Sequence, residues 1–290
     1  VGVSFVGSSE TGARVYAEAA AEGKRVQVLG EAKNHALVMA DCALERTAAG
    51  IINAFCGCAG QRCMALPVVV AEEPVADALV RLLREKAAHL KLGPAYDKNT
   101  TLGPLVSASR RKNVLDWIGR GIREGAELVL DGRGISVPGY ENGFFIGPTL
   151  FDHVTPGMSI GEQEIFGPVL CIKRVRNFEE GLSVMNANPF ANGSVIYTQN
   201  GRYAREFTRR THGGMVGVNV GIPVPVCSFG FTGHKRSFFG DLHTMGTDGV
   251  RFYTEKKTVT STWFEDGHSG TVDTWDGTLG SLSENSGKRN

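Results

Sequence analysis

One cysteine of this chain has neighbours that favour nucleophilic chemistry. Cys63 directly follows Arg62 within the Gly- and Ala-containing run Ala59-Gly60-Gln61-Arg62-Cys63-Met64-Ala65. A nucleophilic thiol needs room for its substrate, and small neighbours leave that room. A nearby cation favours the thiolate over the thiol. A small, buried and unreactive cysteine could carry the same neighbours, so both interpretations stay open at this point.

Two further segments could bind a nucleotide. The run Gly7-Ser8-Ser9-Glu10-Thr11-Gly12 follows a predicted strand and opens a predicted helix, where backbone N–H groups can meet a phosphate. It lacks the Gly-x-Gly-x-x-Gly dinucleotide pattern, so a plain tight turn is the competing interpretation. In Glu164-Ile165-Phe166-Gly167-Pro168, the carboxylate can hold ribose hydroxyls and the aromatic ring can flank a nicotinamide. A solvated glutamate and a core phenylalanine fit the same pattern.

Length and composition favour a globular protein with a sizeable core, in one large domain or two smaller ones. The chain has 290 residues, of which 42% are hydrophobic and 21% charged. Its net charge of +1 argues against nucleic acid or an anionic membrane as a partner. The six cysteines form no disulfide framework and lack metal-ligand spacing, so we expect reduced thiols and no metal site.

The elements that must position these residues alternate between strands and helices. Strands are predicted at residues 3–6, 24–29, 66–71, 126–130, 169–175, 194–198, 216–220 and 258–263. Helices are predicted at residues 13–22, 41–55, 74–90, 107–124, 178–186 and 204–211. Asp41 is the expected N-cap of the second helix. This alternation favours an α/β architecture with largely parallel sheets, and its first three elements make a βαβ unit.

Four segments together resemble the aldehyde dehydrogenase superfamily in their order and spacing. They are Gly7-Ser8-x-x-x-Gly12, Gly60-Gln61-Arg62-Cys63, Glu164-Ile165-Phe166-Gly167-Pro168 and Asn188-Pro189-Phe190-Ala191-Asn192-Gly193. The resemblance runs from Val1 to about Trp263 and corresponds to the C-terminal part of such a subunit. It implies a three-layer α/β/α fold. The implied parts are a remnant of the Rossmann-type NAD-binding domain at residues 1–29, a catalytic (thiol) domain at 30–255 and an oligomerisation strand at 256–264, followed by a disordered tail at 265–290.

Other blocks narrow the resemblance to the CoA-acylating methylmalonate-semialdehyde dehydrogenases. They lie at residues 30–35, 61–65, 217–225 and 228–233. The resemblance implies NAD-dependent oxidation of malonate or methylmalonate semialdehyde, with decarboxylation and acyl transfer to coenzyme A, as in valine and inositol catabolism. The products would be acetyl-CoA or propionyl-CoA. It also implies a homotetramer built as a dimer of dimers, in the cytoplasm of a bacterium or the mitochondrial matrix of a eukaryote.

The resemblance gives each site residue a role. Cys63 would attack the aldehyde to form a thiohemiacetal, and a thioacyl-enzyme would remain after hydride passes to NAD. Arg62 would pair with the substrate carboxylate, although a surface arginine is the alternative. Glu164 would hold the nicotinamide ribose and Phe166 would flank the ring. The turn that meets the cofactor phosphates would be formed by Gly7, Ser8 and Gly12.

One departure from the family bears on the fate of the thioester. Hydrolytic members carry a Glu four residues before the Lys of the Lys33 segment, and that count gives Leu29 here. Glu31 is close, but it falls where the family has a small residue. An apolar residue at position 29 removes the general base for hydrolysis. Coenzyme A is a suitable acceptor, because a thiol needs little help from a base.

Two rival functions stay open. The first is a hydrolytic aldehyde dehydrogenase, which a requirement for coenzyme A would distinguish. The second is a non-catalytic chain that oligomerises through the strand at residues 258–263, since an unpaired strand edge pairs readily.

The family's oxyanion-stabilising Asn, a cofactor-binding Lys and a second substrate Arg lie upstream of Val1. We therefore expect the 290-residue chain by itself to be poorly active.

Overall fold

Strands and helices alternate along the chain in this computed structural model, which describes residues 1–261 and 263. The strands are β1 (Gly2–Val6), β2 (Arg25–Leu29), β3 (His35–Val38), β4 (Val68–Glu72), β5 (Glu127–Leu130), β6 (Thr149–Asp152), β7 (Val169–Val175), β8 (Phe190–Ala191), β9 (Gly193–Tyr197), β10 (Met215–Val218), β11 (His234–Lys235) and β12 (Phe238–Phe239). The helices are α1 (Ser9–Ala21), α2 (Leu44–Cys56), α3 (Glu73–Ala88), α4 (Ala108–Arg123), α5 (Phe178–Ala187), α6 (Gly201–Arg210) and α7 (Gly246–Tyr253). Short 3-10 helices span Gly57–Gly60 and Ser159–Gly161.

A seven-stranded sheet carries most of the core. Its order is β10-β9-β3-β4-β7-β6-β5, and only β5 runs antiparallel to its neighbour. The connection through α2 moves across the sheet in one direction, and the connections through α5 and α6 move in the other. Right-handed crossovers therefore place these helices on opposite faces. The predicted α/β architecture with largely parallel strands is confirmed.

A second sheet has the order β1-β2-β12. The first two strands are parallel and are joined through α1, as the predicted βαβ unit requires. Gly12 of α1 faces Val28 of β2 so closely that a Cβ there would overlap the valine side chain. The third strand, Phe238–Phe239, adds antiparallel to β2. Residues 1–254 form one compact unit, so a domain boundary at residue 29 stays a prediction.

Some elements differ from the sequence prediction. Asp41 does not cap a helix, because α2 begins at Leu44 and the Asp41 carboxylate instead accepts a hydrogen bond from the Thr198 hydroxyl at 2.8 Å. The sequence prediction also missed several short elements. These are β3, β6, β8, β11, β12 and α7. Most are too short for their periodicity to be recognised, and β3 begins with a histidine that follows a Lys-Asn pair.

The predicted strand at residues 258–263 is not formed in the described part of the chain. Residues 255–261 carry no helix or strand. Its role in oligomerisation stays a prediction. Thr262 and the predicted disordered tail at 265–290 lie outside the described residues. Within the described residues, no helix has the length and apolar character needed to cross a membrane.

Candidate active site

The candidate site lies at one edge of the seven-stranded sheet. Strands β9, β3, β4 and β7 are consecutive neighbours and run parallel, so their amino ends share that edge. The sequence segments that resemble the family's motifs directly precede these four strands. They are residues 188–192, 30–34, 60–65 and 164–168. Segments that are far apart in the chain therefore meet because of the strand order.

The nucleophile loop (residues 57–65) has an unusual backbone. Cys58 and Ala59 both have φ of 53°, and Gly60 has φ of 71°. Non-glycine residues rarely adopt this left-handed region, and such strain clusters at functional sites. A Cβ on Gly60 would overlap the carbonyl of Gly167, so glycine lets the loop touch the segment at residues 164–168. The loop leaves Cys63 exposed.

Two buried asparagines hold the nucleophile loop from the sheet side. The Asn34 side-chain amide donates to the carbonyl oxygens of Cys63 at 2.8 Å and Ala65 at 2.7 Å. The Asn192 amide also donates to the Cys63 carbonyl, at 3.1 Å. The Asn34 side-chain oxygen accepts from the backbone N–H of Gly193 at 2.7 Å. Neither asparagine was predicted as a site residue, because their burial and their contacts with the loop are visible only in the structure.

A cavity of about 900 Å³ brings most of the predicted site residues together. The predicted residues that line it are Gly7, Ser8, Arg62, Cys63, Glu164 and Phe166. Gly12 is not part of this lining and serves the packing of α1 on β2. The cavity thus joins the carboxyl ends of β1 and β2 to the sheet edge that carries the thiol. A second cavity, of about 670 Å³ beside α3, is lined by none of these residues.

The environment of Cys63 opposes ionisation. Although the residue is exposed to solvent, partial desolvation of its thiol raises the pKa above its ordinary value, and the negative charge of Glu164 raises it further. The guanidinium of Arg62 acts in the other direction, but it is the smallest of the effects at this thiol. The expected benefit of the neighbouring cation is therefore outweighed. Activation of the thiol needs a proton acceptor or a change in its surroundings on binding.

Arg62 is engaged with the end of α2. Its Nη2 donates to the carbonyl oxygens of Asn53 at 2.8 Å and Ala54 at 3.1 Å. Gly57 leaves room for this, since a Cβ there would overlap the guanidinium. The Arg62 Nε is buried and has no hydrogen-bond partner among the described residues. Its predicted pairing with a substrate carboxylate stays a prediction that must use the remaining N–H groups.

Glu164 is an unusually weak acid for a carboxyl group. Its Oε1 accepts from the backbone N–H of Ala32 at 3.0 Å. Burial raises the pKa of Glu164 to about 7, and the charge of Glu31 adds to this shift while the Ala32 hydrogen bond opposes it. The carboxyl group therefore exchanges its proton near neutral pH. The predicted role of Glu164 in holding ribose hydroxyls stays a prediction, and the structure adds a carboxyl group able to carry a proton.

Phe166 follows Glu164 in a left-handed conformation with φ of 59°. Its ring is half-buried and lines the cavity. The guanidinium of Arg110 on α4 lies 5.7 Å from the ring centroid, which is a cation–π distance. Arg110 also lines the cavity, and sequence reasoning did not select it.

At the amino end of α1, backbone N–H groups donate to side chains of this chain. The hydroxyl of Ser8, the N-cap of α1, accepts from the Thr11 N–H at 3.3 Å. The Glu31 carboxylate accepts from the Ser9 N–H at 3.0 Å. Leu29 ends β2 and does not line the cavity. Among the described residues, the carboxylates that line the cavity are those of Glu31 and Glu164. Sequence reasoning noticed Glu31 but gave it no role in the site.

Comparison with known proteins places this geometry in context. The protein-family model described as "Aldehyde dehydrogenase family" matches residues 1–259 of this chain. Malonate-semialdehyde dehydrogenase 1 of Bacillus licheniformis is 48% identical over 262 residues, covering 90% of this chain and 54% of the relative. Malonate-semialdehyde dehydrogenase of Pseudomonas aeruginosa is also 48% identical over 262 residues, with 90% and 53% covered.

Solved structures show the same similarity. The structure of a putative methylmalonate-semialdehyde dehydrogenase from Sinorhizobium meliloti, complexed with NAD, superposes with a TM-score of 0.89 at 47% identity. The match covers 91% of this chain and 54% of that chain. The chain thus spans about half the length of the curated relatives it matches.

Proposed function

The chain belongs to the aldehyde dehydrogenase family, and from this premise we propose that the protein oxidises malonate or methylmalonate semialdehyde with NAD. The observation that carries the proposal is the cavity that joins Cys63, Glu164 and the amino end of α1. Names of relatives at 48% identity support the substrate, and the NAD complex of a similar protein supports the cofactor. The resemblance to the family in sequence and the aldehyde dehydrogenase fold are both confirmed.

Cys63 is the proposed nucleophile. Its thiol loses a proton, and the sulfur adds to the aldehyde carbon to give a thiohemiacetal. Glu164 is suited to accept that proton because it shares the cavity and its pKa is about 7. The amides of Asn34 and Asn192 fix the backbone of Cys63 while its side chain reacts. Loss of hydride leaves a thioacyl group on the sulfur.

The cavity fits a dinucleotide in all but one respect. Its volume of about 900 Å³ is in the range of ligand sites. Glu164 and Phe166 would hold the nicotinamide riboside part, and Gly7 and Ser8 lie where phosphates would approach. The exception is the carboxylate of Glu31, which occupies the amino end of α1, where a phosphate would bind. When bound, NAD supplies the hydride acceptor.

Coenzyme A is the proposed acceptor of the acyl group. The residue four before Lys33 is Leu29, which cannot act as a base for water. Glu31 is held by the Ser9 N–H, away from that position in the sequence. Loss of the β-carboxylate as CO2 and transfer to the CoA thiol would give acetyl-CoA or propionyl-CoA. Arg62 is the proposed partner of the substrate carboxylate before that loss.

Hydrolysis is the second candidate, and one observation favours it. A carboxyl group with a pKa of about 7 can activate water at neutral pH, and Glu164 is such a group in the same cavity as Cys63. Free acid rather than acyl-CoA would then be the product. The absence of a carboxylate at position 29 favours transfer to CoA.

A homotetramer, built as a dimer of dimers, completes the proposal. Residues 255–261 are exposed and carry no strand, which suits pairing with another subunit. The cysteines are all free thiols, as in the reducing bacterial cytoplasm or mitochondrial matrix. A chain that oligomerises without turnover is the remaining alternative.

The deciding experiment measures NADH formation with malonate semialdehyde and NAD, with and without CoA, and identifies acyl-CoA by mass spectrometry. It is run on this chain alone and on this chain joined to the amino-terminal half of the Bacillus licheniformis relative. We expect CoA-dependent turnover in the joined protein and little in the chain alone. Cys63→Ser should abolish turnover, and Cys42→Ser, outside the cavity, should retain it. CoA-independent formation of free acid would establish hydrolysis, and no turnover in either protein would refute the proposal.

A further inference from the structure

Glu31 occupies the amino end of α1. Its Oε2 accepts a hydrogen bond from the backbone N–H of Ser9, the first residue of the helix, at 3.0 Å. The backbone N–H of Glu31 in turn donates to the Ser9 hydroxyl oxygen at 2.9 Å. Ser9 is buried, and Glu31 is half-buried in the wall of the cavity that holds Cys63. These two reciprocal bonds fix Glu31 against the helix end.

A carboxylate at this position accepts a hydrogen bond from the amino end of the helix, as a bound anion would. The first turn of a helix presents unpaired N–H groups and a partial positive charge, and both favour a negative group. The Ser8 hydroxyl already accepts from the Thr11 N–H. With Glu31 on the Ser9 N–H, side chains of this protein use two donors of the first turn. An incoming diphosphate would need those same donors.

The backbone around Glu31 cannot move away easily. The Gly30 N–H donates to the carbonyl of Ser237 at 2.9 Å, and the Ser237 hydroxyl donates to the carbonyl of Glu31 at 2.6 Å. A Cβ on Gly30 would lie 2.6 Å from both the Arg236 carbonyl oxygen and the Ser9 hydroxyl oxygen. The segment is thus held on several sides. Only rotation of the Glu31 side chain can release the Ser9 N–H.

We propose that Glu31 is a tethered anion that competes with the diphosphate of a dinucleotide for the amino end of α1. The inference rests on the proposed function, because it concerns the cofactor of that same cavity. Binding of the diphosphate requires Glu31 to leave the Ser9 N–H, and its negative charge also opposes the phosphates. Glu31 therefore weakens binding of the dinucleotide. The Glu31 side chain at the amino end of α1 must rearrange before the diphosphate can bind there.

Substitutions separate the two effects. Glu31→Ala removes both the charge and the group that covers the Ser9 N–H. Glu31→Gln removes the charge and keeps an oxygen that can accept the same hydrogen bond. Glu10→Gln is the matched control, since Glu10 lies exposed in the first turn of α1 and carries the same charge without covering that donor.

The test is equilibrium binding of ADP-ribose by calorimetry, with adenosine as the ligand that lacks a diphosphate. We expect Glu31→Ala to lower the Kd for ADP-ribose by about fivefold, as for a charge at a helix end. Glu31→Gln should give a smaller gain, Glu10→Gln the least, and adenosine affinity should stay unchanged. A weaker or unchanged affinity in Glu31→Ala, an equal gain for adenosine, or no binding in any variant would overturn the inference. The binding measurement contains no aldehyde and therefore does not depend on catalysis. A gain in ADP-ribose binding, together with no turnover in the CoA assay, would support the inference and refute the proposed function.

Discussion

The side-chain amide of Asn34 donates a hydrogen bond of 2.8 Å to the main-chain carbonyl oxygen of Cys63. Asn34 directly precedes β3, and Asn192, which donates to the same carbonyl, directly precedes β9. These two strands are paired in the sheet, so their amino ends lie side by side. The loop that carries the candidate nucleophile is therefore held by two side chains at the amino ends of adjacent strands.

Loss of the Asn34 amide should destabilise the protein and disturb Cys63. In Asn34→Ala the carbonyl oxygens of Cys63 and Ala65 lose a donor, which costs about 1–3 kcal/mol of unfolding free energy for a buried group. Asn53→Ala is the control, because that side chain is exposed on α2. Denaturant unfolding gives the stability, and the alkylation rate of Cys63 by iodoacetamide reports on the loop. Equal effects of both substitutions would contradict a positioning role for Asn34.

Glu164 should control the pH at which Cys63 reacts. The thiolate is the reactive form, and the charge of Glu164 contributes to the raised pKa of the Cys63 thiol. Glu164→Gln removes that charge, so the alkylation profile should move to lower pH. Mass spectrometry of tryptic peptides measures it, with the Cys58 peptide as the internal comparator and Glu10→Gln as the control for a lost surface charge. A profile that stays in place would show that burial alone raises the pKa.

His35 should make folding sensitive to mild acid. Burial lowers the pKa of His35 from 6.5 to about 3, so the unfolded state binds the proton more readily than the folded state in that interval. The stabilisation is complete above the unfolded pKa and is lost as the pH falls towards 3. Between pH 7 and pH 5.5 this group alone should cost about 1 kcal/mol of stability.

Glu164 acts in the opposite direction over the same interval, because its folded pKa of about 7 lies above the unfolded value. Its contribution is present at low pH and is lost as the pH rises through 7. The His35 effect is therefore measured in a Glu164→Gln background, with and without His35→Asn. Denaturant unfolding at pH 7 and pH 5.5 should show the loss only where His35 is retained. Equal losses in both proteins would mean that His35 does not titrate in the way its burial implies.

Residue type and order predicted the architecture, and most of the predicted site residues line the cavity. Cys63, Glu164 and Phe166 stand in segments whose composition already suggested chemistry, and each lines the cavity. Glu31 and Asn34 acquire roles only from their neighbours in space, namely the helix end at Ser9 and the loop at Cys63. Those neighbours depend on the strand order and on the second sheet, which no local pattern encodes.

The hydrogen-bond partners of a long side chain also could not be predicted from the sequence. The pairing of Arg62 with a substrate carboxylate stays a prediction, and the structure adds that Arg62 Nη2 donates to the carbonyl oxygens at the end of α2. The flexible stem of arginine allows both directions, and the free carbonyls of a helix terminus are a strong local acceptor. The pKa of Glu164 was likewise invisible, because it depends on burial and on the charge of Glu31.

Gly60 should be the most sensitive glycine of the nucleophile loop. Gly60→Ala combines a left-handed φ of 71° with an overlap between the new Cβ and the Gly167 carbonyl, so the loop must separate from the segment at residues 164–168. Gly134→Ala is the matched control, because Gly134 has φ of 73° and open space around it. The control should lose about 1 kcal/mol of unfolding free energy from backbone strain alone, and Gly60→Ala at least about 2 kcal/mol. Only Gly60→Ala should also change the alkylation rate of Cys63. Equal stability losses with unaltered Cys63 reactivity would show that the contact between Gly60 and Gly167 does not position the thiol.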